Sequence, residues 1–456
     1  MTAVLDCPPT TAALLPTVGA DTRVPLVDGA TATYANLDVA ASAPALVSVA
    51  AKVAEALPLY ASVHRGAGYL SQVSTALYES ARDTVAAFVG AREDDVCVLT
   101  RTTTDSLSLL AGCLPADGAV LVLDVEHHAD LLPWQQRSRE LCDVLQAAPT
   151  VAGTLDLLAD ALAARRYVLL AVTGASNVTG ESLPLSRVAD LAHDHGALLL
   201  VDGAQLVPHR RFSLAESGAD WVAFSGHKLY APFGTGALVG RRDWLDTGRP
   251  YLPGGGAVAQ VDLDATTWVA APHRHEGGSP NVLGAVALAA ACDALSALAP
   301  GALEQHERDL RTRLVDGLVG IDGVRLLRIW SDSVDPTGVV SFTVDGADPG
   351  LVAAYLSAEH GIGVRDGRFC AHPLLARLGV GGGALRASVG VGTSSDDVDR
   401  LVTAITRFVA LGPGTDYAVV DGRHQPVADP RPVAGLAGAD LSAVARGAGC
   451  GPSPVR

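Results

Sequence analysis

Ala197-Leu198-Leu199-Leu200-Val201-Asp202-Gly203-Ala204-Gln205 and Trp221-Val222-Ala223-Phe224-Ser225-Gly226-His227-Lys228 carry the architecture of this chain. Each run is apolar for four or five residues and then turns abruptly polar. A strand buried on both faces reads as a continuous apolar run, not as an alternation of apolar and polar residues. Both faces are covered when helices cross over a parallel sheet. The first run therefore predicts a strand over 197–201 ending at an acid, and the second a strand over 221–224 followed by a lysine.

The same rhythm extends in both directions. Helices are expected at 44–59, 70–89, from 104, near 154–164 and at 186–195. Strands are expected at 96–100, 119–123, 167–172 and 236–239. This alternation defines an α/β protein with a mostly parallel sheet between helices. A long helix over 282–298 leads into a second α/β segment, with strands at 338–344 and 385–389 and a helix at 397–409. The expected organisation is an N-terminal extension (1–24), a large domain (25–300), a smaller C-terminal α/β domain (301–412) and a tail (413–456). The tail is rich in Pro, Gly and Ala, which predicts partial disorder, with one short helix at 436–445. No internal repeat is present.

Composition excludes several classes of function. Hydrophobic residues make up 49% and charged residues 18% of the 456 positions, so most of the chain should fold. With 49 acidic against 33 basic residues the net charge is −16, which disfavours nucleic acid or an anionic membrane as partner. No apolar run approaches the roughly 20 residues that span a bilayer. The first basic residue is Arg23, so a charged signal-peptide n-region is not expected. The expectation is a cytoplasmic protein. The seven cysteines (7, 97, 113, 142, 292, 370 and 450) are scattered, with neither disulfide-framework nor zinc spacing.

Only two of the 33 basic residues are lysines, Lys52 and Lys228. Arginine serves almost every need for positive charge, but it stays protonated and forms no Schiff base; lysine can be desolvated, deprotonated and used as a nucleophile. In open α/β sheets ligands sit beyond the carboxyl ends of the strands, and the polar clusters fall there: 102–104, 126–130, Asn177, 202–205 and 225–228. No GxGxxG follows the first strand, which weakens a dinucleotide reading. An acid and an amine at neighbouring strand ends suit pyridoxal phosphate, the carboxylate holding the pyridinium nitrogen and the amine holding the aldehyde. Thr103 and Thr104 open a helix whose amides and hydroxyls suit a phosphate. Ser225 and His227 flank the lysine as further phosphate donors. His127 is placed to stack on the ring, with Gln205 and Asn177 as partners for the ring hydroxyl or the substrate. Each piece also has a plainer reading: a turn or cap at Asp202, N-capping at 102–104, a metal at His127, His128 and Asp130. The metal reading has no partner cluster at ligand spacing. Order and shared location favour the cofactor.

These motifs are similar to those of the class V aminotransferase-like pyridoxal-phosphate enzymes, and among them the SUF-type cysteine desulfurases and selenocysteine lyases. The resemblance covers roughly 33–411. It rests on Val201–Gln205, on Phe224-Ser225-Gly226-His227-Lys228-Leu229-Tyr230-Ala231-Pro232-Phe233-Gly234-Thr235-Gly236, and on Val63-His64-Arg65-Gly66. Glu126-His127-His128-Ala129-Asp130 with Pro133-Trp134-Gln135, Arg274-His275-Glu276-Gly277-Gly278-Ser279-Pro280-Asn281, the stretch from Val364 to Leu374 and Arg386-Ala387-Ser388 complete it. The resemblance implies fold type I of the pyridoxal-phosphate transferases and a homodimer. It implies that Lys228 carries the cofactor, Asp202 holds the pyridinium, His127 stacks on the ring and Gln205 lies near its hydroxyl. Thr103, Ser225 and His227 would bind the phosphate, with Ser279 from the partner subunit. Arg386 would clamp the substrate carboxylate, with Asn177 and Arg365 beside it. Cys370 would be the nucleophile that takes sulfur from L-cysteine, leaving L-alanine and a persulfide for an acceptor protein such as an iron–sulfur scaffold. Its neighbours Arg365, Arg368 and His372 independently favour a thiolate.

Some positions depart from the family pattern. Around the cysteine the family has two histidines and a following glutamine; this chain has Arg368, Phe369 and His372. Val39 replaces an asparagine, and Thr102-Thr103-Thr104 stands for a Gly-Thr-Thr segment. The departures bear on substrate and leave open selenocysteine lyase, carbon–sulfur β-lyase, epimerase or aminotransferase chemistry on the same scaffold. A non-enzymatic pyridoxal-phosphate sensor is disfavoured by the absence of a basic DNA-binding segment.

Overall fold

A computed structural model describes residues 10–64, 66–433 and 435–439. Its centre is a seven-stranded sheet built from β1 (Val96–Thr100), β2 (Val120–Leu123), β3 (Cys142–Leu145), β4 (Leu169–Thr173), β5 (Leu198–Asp202), β6 (Trp221–Ser225) and β7 (Gly236–Gly240), in the order β1-β7-β6-β5-β4-β2-β3. Strands β3, β2, β4, β5 and β6 run parallel, and β7 is antiparallel to both β6 and β1. The expected parallel sheet is thus present with one reversed strand. β7 follows β6 through a short turn, and a connection that short can only return antiparallel.

The apolar runs divide their side chains between two cores, as a period of two requires. Leu170, Val172, Leu199, Val201, Val222 and Phe224 face one core. Leu169, Ala171, Leu200, Trp221 and Ala223 face the other. Helices α1 (Val47–Ala56), α2 (Tyr69–Phe88), α3 (Thr103–Ala111), α4 (Val151–Ala164), α5 (Leu185–Asp194) and α6 (Val282–Ser296) surround the sheet. α6 is apolar almost all round because it is buried almost all round, with Tyr78 and Ala81 of α2 on one side.

A second sheet, in the order β8-β9-β11-β10, is formed by β8 (Val324–Leu326), β9 (Val339–Val344), β10 (Arg365–Gly367) and β11 (Ala384–Ser388), all antiparallel. It packs with α7 (Ala302–Val319), α8 (Pro349–His360) and α9 (Ser395–Leu411). Leu310, Leu314 and Leu318 make a one-faced stripe on α7, and Ser394 with Asp397 closes a capping box on α9. Ala35 and Leu37 enter this second core, and Ile362–Gly363 pairs in parallel with Ala35–Asn36. Helices α7 and α8 and strand β3 were not expected from the sequence. After residue 412 the chain forms a hairpin, Tyr417–Val420 with Arg423–Pro426, and the Tyr417 hydroxyl and Gly414 amide donate to Glu359 on α8. The helix expected at 436–445 lies largely outside the described residues; 436–438 form a single 3-10 turn. No helix among the described residues is long and apolar enough to cross a membrane.

Candidate active site

The carboxyl ends of the parallel strands open onto a cavity of about 240 Å³. It is lined by Thr103, Thr104, His127, Asn177, Asp202, Gln205, Ser225, His227, Lys228, Arg365, Cys370 and Arg386, twelve of the thirteen residues expected from the sequence. Ser279 does not line it in this chain.

Each residue is placed by its element. Asp202 is the last residue of β5, and Ser225 the last of β6. Lys228 follows in a tight turn whose amide donates to the Ser225 carbonyl at 3.3 Å. Gly226 makes the turn possible: a Cβ there would meet the Thr235 carbonyl oxygen at 2.6 Å. Thr102 caps α3, accepting from the Asp105 amide, so Thr103 and Thr104 present the first turn of the helix to the cavity. The Thr103 amide donates to Ser225 Oγ at 2.7 Å, and the two hydroxyls are also 2.7 Å apart. This end gathers hydroxyls at a positive helix terminus, which suits a phosphate.

The opposite end is acidic. Asp202 is 4% exposed and accepts from the Ala204 amide at 2.9 Å. Burial pushes its carboxyl up, while that amide and Lys228 pull it down. Such a group calls for a cationic partner. Lys228 is open only to the cavity, and burial pushes its ammonium down to about 8, with Asp202 opposing, Arg386 adding to the fall and Cys370 opposing it. An amine so placed is readily neutral and nucleophilic. Burial, helped by Lys228, His128 and Arg386, lowers His127 to about 3, so its imidazole is neutral. Its Nδ1 accepts from the Ala129 amide at 3.0 Å, which assigns the proton to Nε2. Gln205 is anchored through Nε2 on the Ala40 carbonyl (2.6 Å), leaving a buried Oε1 without a partner.

The second sheet supplies the anion end. Arg365 of β10 stands opposite Arg386 of β11. Two facing guanidinium groups repel unless an anion lies near. Asp38 provides part of that charge, accepting from Arg386 Nη2 at 3.0 Å, and Nη1 donates to the Asn177 carbonyl at 2.9 Å. Sequence reasoning did not single out Asp38; the backbone pattern alone could not bring it 348 residues along the chain to Arg386.

Cys370 sits at the mouth in an unusual backbone. Phe369 and Cys370 have φ of 51° and 54°, the left-handed region that non-glycine residues rarely enter. The loop is pinned by Asn177 Nδ2 donating to the Phe369 carbonyl (2.7 Å) and the His128 amide donating to the Cys370 carbonyl (2.8 Å). Asn177 thus grips the cysteine loop as well as lining the cavity. Cys97, Cys113, Cys142 and Cys292 are buried, and burial raises all four thiols: Cys97 and Cys113 to about 12, Cys142 to about 11, Cys292 well above its ordinary value. Burial and raised thiols suit these four to packing and not to chemistry.

The chain matches the aminotransferase class-V family over residues 35–401, and it belongs to that family. A protein described as a probable cysteine desulfurase from Vibrio cholerae is 37% identical over 358 residues, covering 77% of this chain and 87% of the relative. Another, "probable cysteine desulfurase 2" of Mycobacterium leprae, is 39% identical over 76% of this chain and 84% of its own length. The solved structure of the cysteine desulfurase CsdA from Escherichia coli superimposes with a TM-score of 0.75 at 35% identity, covering 83% of this chain and 95% of that one.

The family works through pyridoxal phosphate, and the cavity fits it. The raised, nearly orphaned Asp202 suits a pyridinium, the free Gln205 oxygen suits the ring hydroxyl, and the hydroxyl cluster at the start of α3 suits the phosphate. Lys228 is the amine within the same cavity. When bound, the cofactor supplies an electron sink that acidifies the substrate Cα–H.

Proposed function

We propose that this protein is a cysteine desulfurase, converting L-cysteine to L-alanine with the sulfur left as a persulfide on Cys370. The observation that carries the reading is the presence of Cys370, Lys228 and the Arg365–Arg386 pair around one cavity. In this reading Lys228 holds the cofactor and then moves the proton from Cα. Asp202 keeps the ring nitrogen protonated, and the neutral His127 covers the ring face. Thr103, Thr104, Ser225 and His227 hold the phosphate, and Gln205 meets the ring hydroxyl. Arg386 receives the substrate carboxylate with the donors that Asp38 and Asn177 leave free, and Arg365 adds charge. The Cys370 thiolate would attack the substrate sulfur and form the persulfide S–S bond, while the carbon–sulfur bond breaks with its electron pair left on the substrate's Cβ, which takes up a proton to give alanine; the bound cofactor would supply the electron sink.

The reading includes a homodimer in which Ser279 of one chain reaches the phosphate of the other. It also includes a reducing, cytoplasmic setting, because a free thiol and a persulfide persist there. The product persulfide requires an acceptor protein. The domain division in this reading is 1–24, 25–300, 301–412 and 413–456. The holoenzyme mixed with L-cysteine should yield alanine and a gain of one sulfur on the Cys370 peptide by mass spectrometry. Pyruvate without alanine would move the assignment to β-elimination.

A further inference from the structure

Beneath the acidic end of the cavity, outside its lining, lie two more carboxyl groups. Glu126 is 1% exposed and Asp130 is not exposed at all. The two meet each other, and both stand within electrostatic range of Asp202. Both oxygens of Glu126 and Oδ2 of Asp130 are buried without a partner in good hydrogen-bonding geometry, the Thr173 amide being the backbone donor nearest Glu126. The remaining oxygen, Oδ1 of Asp130, accepts from Trp134 Nε1 at 3.1 Å, a donor shared with the Asp130 carbonyl at 2.8 Å. The groups facing the pair are Asp202, the Thr173 amide, the Trp134 indole and the Cys142 thiol, with no cation among them.

Two ionised carboxylates pressed together in an apolar setting, without a cation or enough donors, are not a stable arrangement. A proton placed between them removes the conflict: one becomes a donor, the other its acceptor, and three orphaned acceptors become a hydrogen-bonded dyad. We propose that Glu126 and Asp130 share one proton at neutral pH and present a single negative charge behind Asp202, acting as positioning residues that help keep the cofactor's ring nitrogen protonated. Burial raises both carboxyls, most strongly among their causes, and each also feels the charge of Asp202. One negative charge beyond Asp202 favours a proton on the far side of that carboxylate, where the ring nitrogen would be held. This last consequence rests on the proposed cofactor role of Asp202; the shared proton does not.

Infrared spectra of the apoprotein, compared as wild type minus variant, test the dyad directly and without the cofactor. The wild type should show one un-ionised carboxyl stretch, sensitive to deuterium exchange and persisting well above the ordinary carboxylate range of about 4. Glu126→Gln and Asp130→Asn should each abolish it, because the new amide donates to the remaining carboxylate. No such band, two such bands, or one band surviving both substitutions would overturn the shared proton. The double variant E126Q/D130N removes the charge. In it, the pH midpoint of the bound cofactor's absorption should fall by about one unit, and an unmoved midpoint would overturn the positioning role. A protein that binds no cofactor would instead defeat the functional reading, while leaving the infrared result intact.

Discussion

The floor of the cavity and the loop that carries Cys370 are built on opposite principles. Asp202 and Ser225 end strands whose registers are fixed by ladders on both sides and by side chains buried in two cores. Their positions follow from ordinary backbone geometry. Phe369 and Cys370, in contrast, hold two consecutive left-handed conformations, each unfavourable by about 1–2 kcal/mol. Hydrogen bonds from Asn177 and His128, which lie far away in the chain, hold that loop against its own preference. The lesson is a division of labour: a floor set by ordinary strand geometry, where the cofactor is proposed to bind, and a strained, tethered loop that carries the proposed nucleophile.

The largest effect should come from breaking the floor. Lys228→Ala removes the amine, and the isolated protein should lose its near-visible cofactor absorption, with alanine formation falling by about 10⁴-fold or more. Breaking the loop chemistry leaves the floor standing. Cys370→Ser should keep that absorption while persulfide vanishes and alanine formation drops by roughly three orders of magnitude; unchanged alanine production would remove the cysteine from the reaction.

A pH series sharpens the same contrast. The Lys228 amine titrates near 8 in the folded protein, so its reactive neutral form predominates above that value and is lost below it. The rate at which the apoprotein captures added cofactor should therefore rise with pH, about tenfold per unit, and level off above about 8. A flat profile would show that burial does not govern the amine. The smallest effect tests the tether. Asn177→Ala deletes one side chain–backbone bond, which contributes about 1 kcal/mol. Sulfur transfer to Cys370 should slow about fivefold to tenfold in single-turnover measurements, with less change in cofactor affinity than in sulfur transfer.

Legibility in the sequence followed the same line. The runs ending at Asp202 and Ser225 placed two strands to within a residue because a doubly covered strand has a plain apolar signature. α7 was missed because its stripe of Leu310, Leu314 and Leu318 is spaced among seven charged residues that mask its single buried face. β3 was missed because an edge strand, Cys142-Asp143-Val144-Leu145, needs only one covered side. Asp38 had no visible role because its partner, Arg386, lies across the whole chain.

The residues themselves determined the alternation of strands and helices, the lone chemically useful lysine, and the acid and hydroxyls at strand ends. Those features are local: they depend on side-chain periodicity and on where a strand stops. Only tertiary structure decided that Asp38 would steady Arg386, that Asn177 would hold Cys370 in a left-handed backbone, and that Glu126 and Asp130 would be buried against each other. Each of these depends on distances between segments far apart in the chain, and on the exclusion of water once they meet.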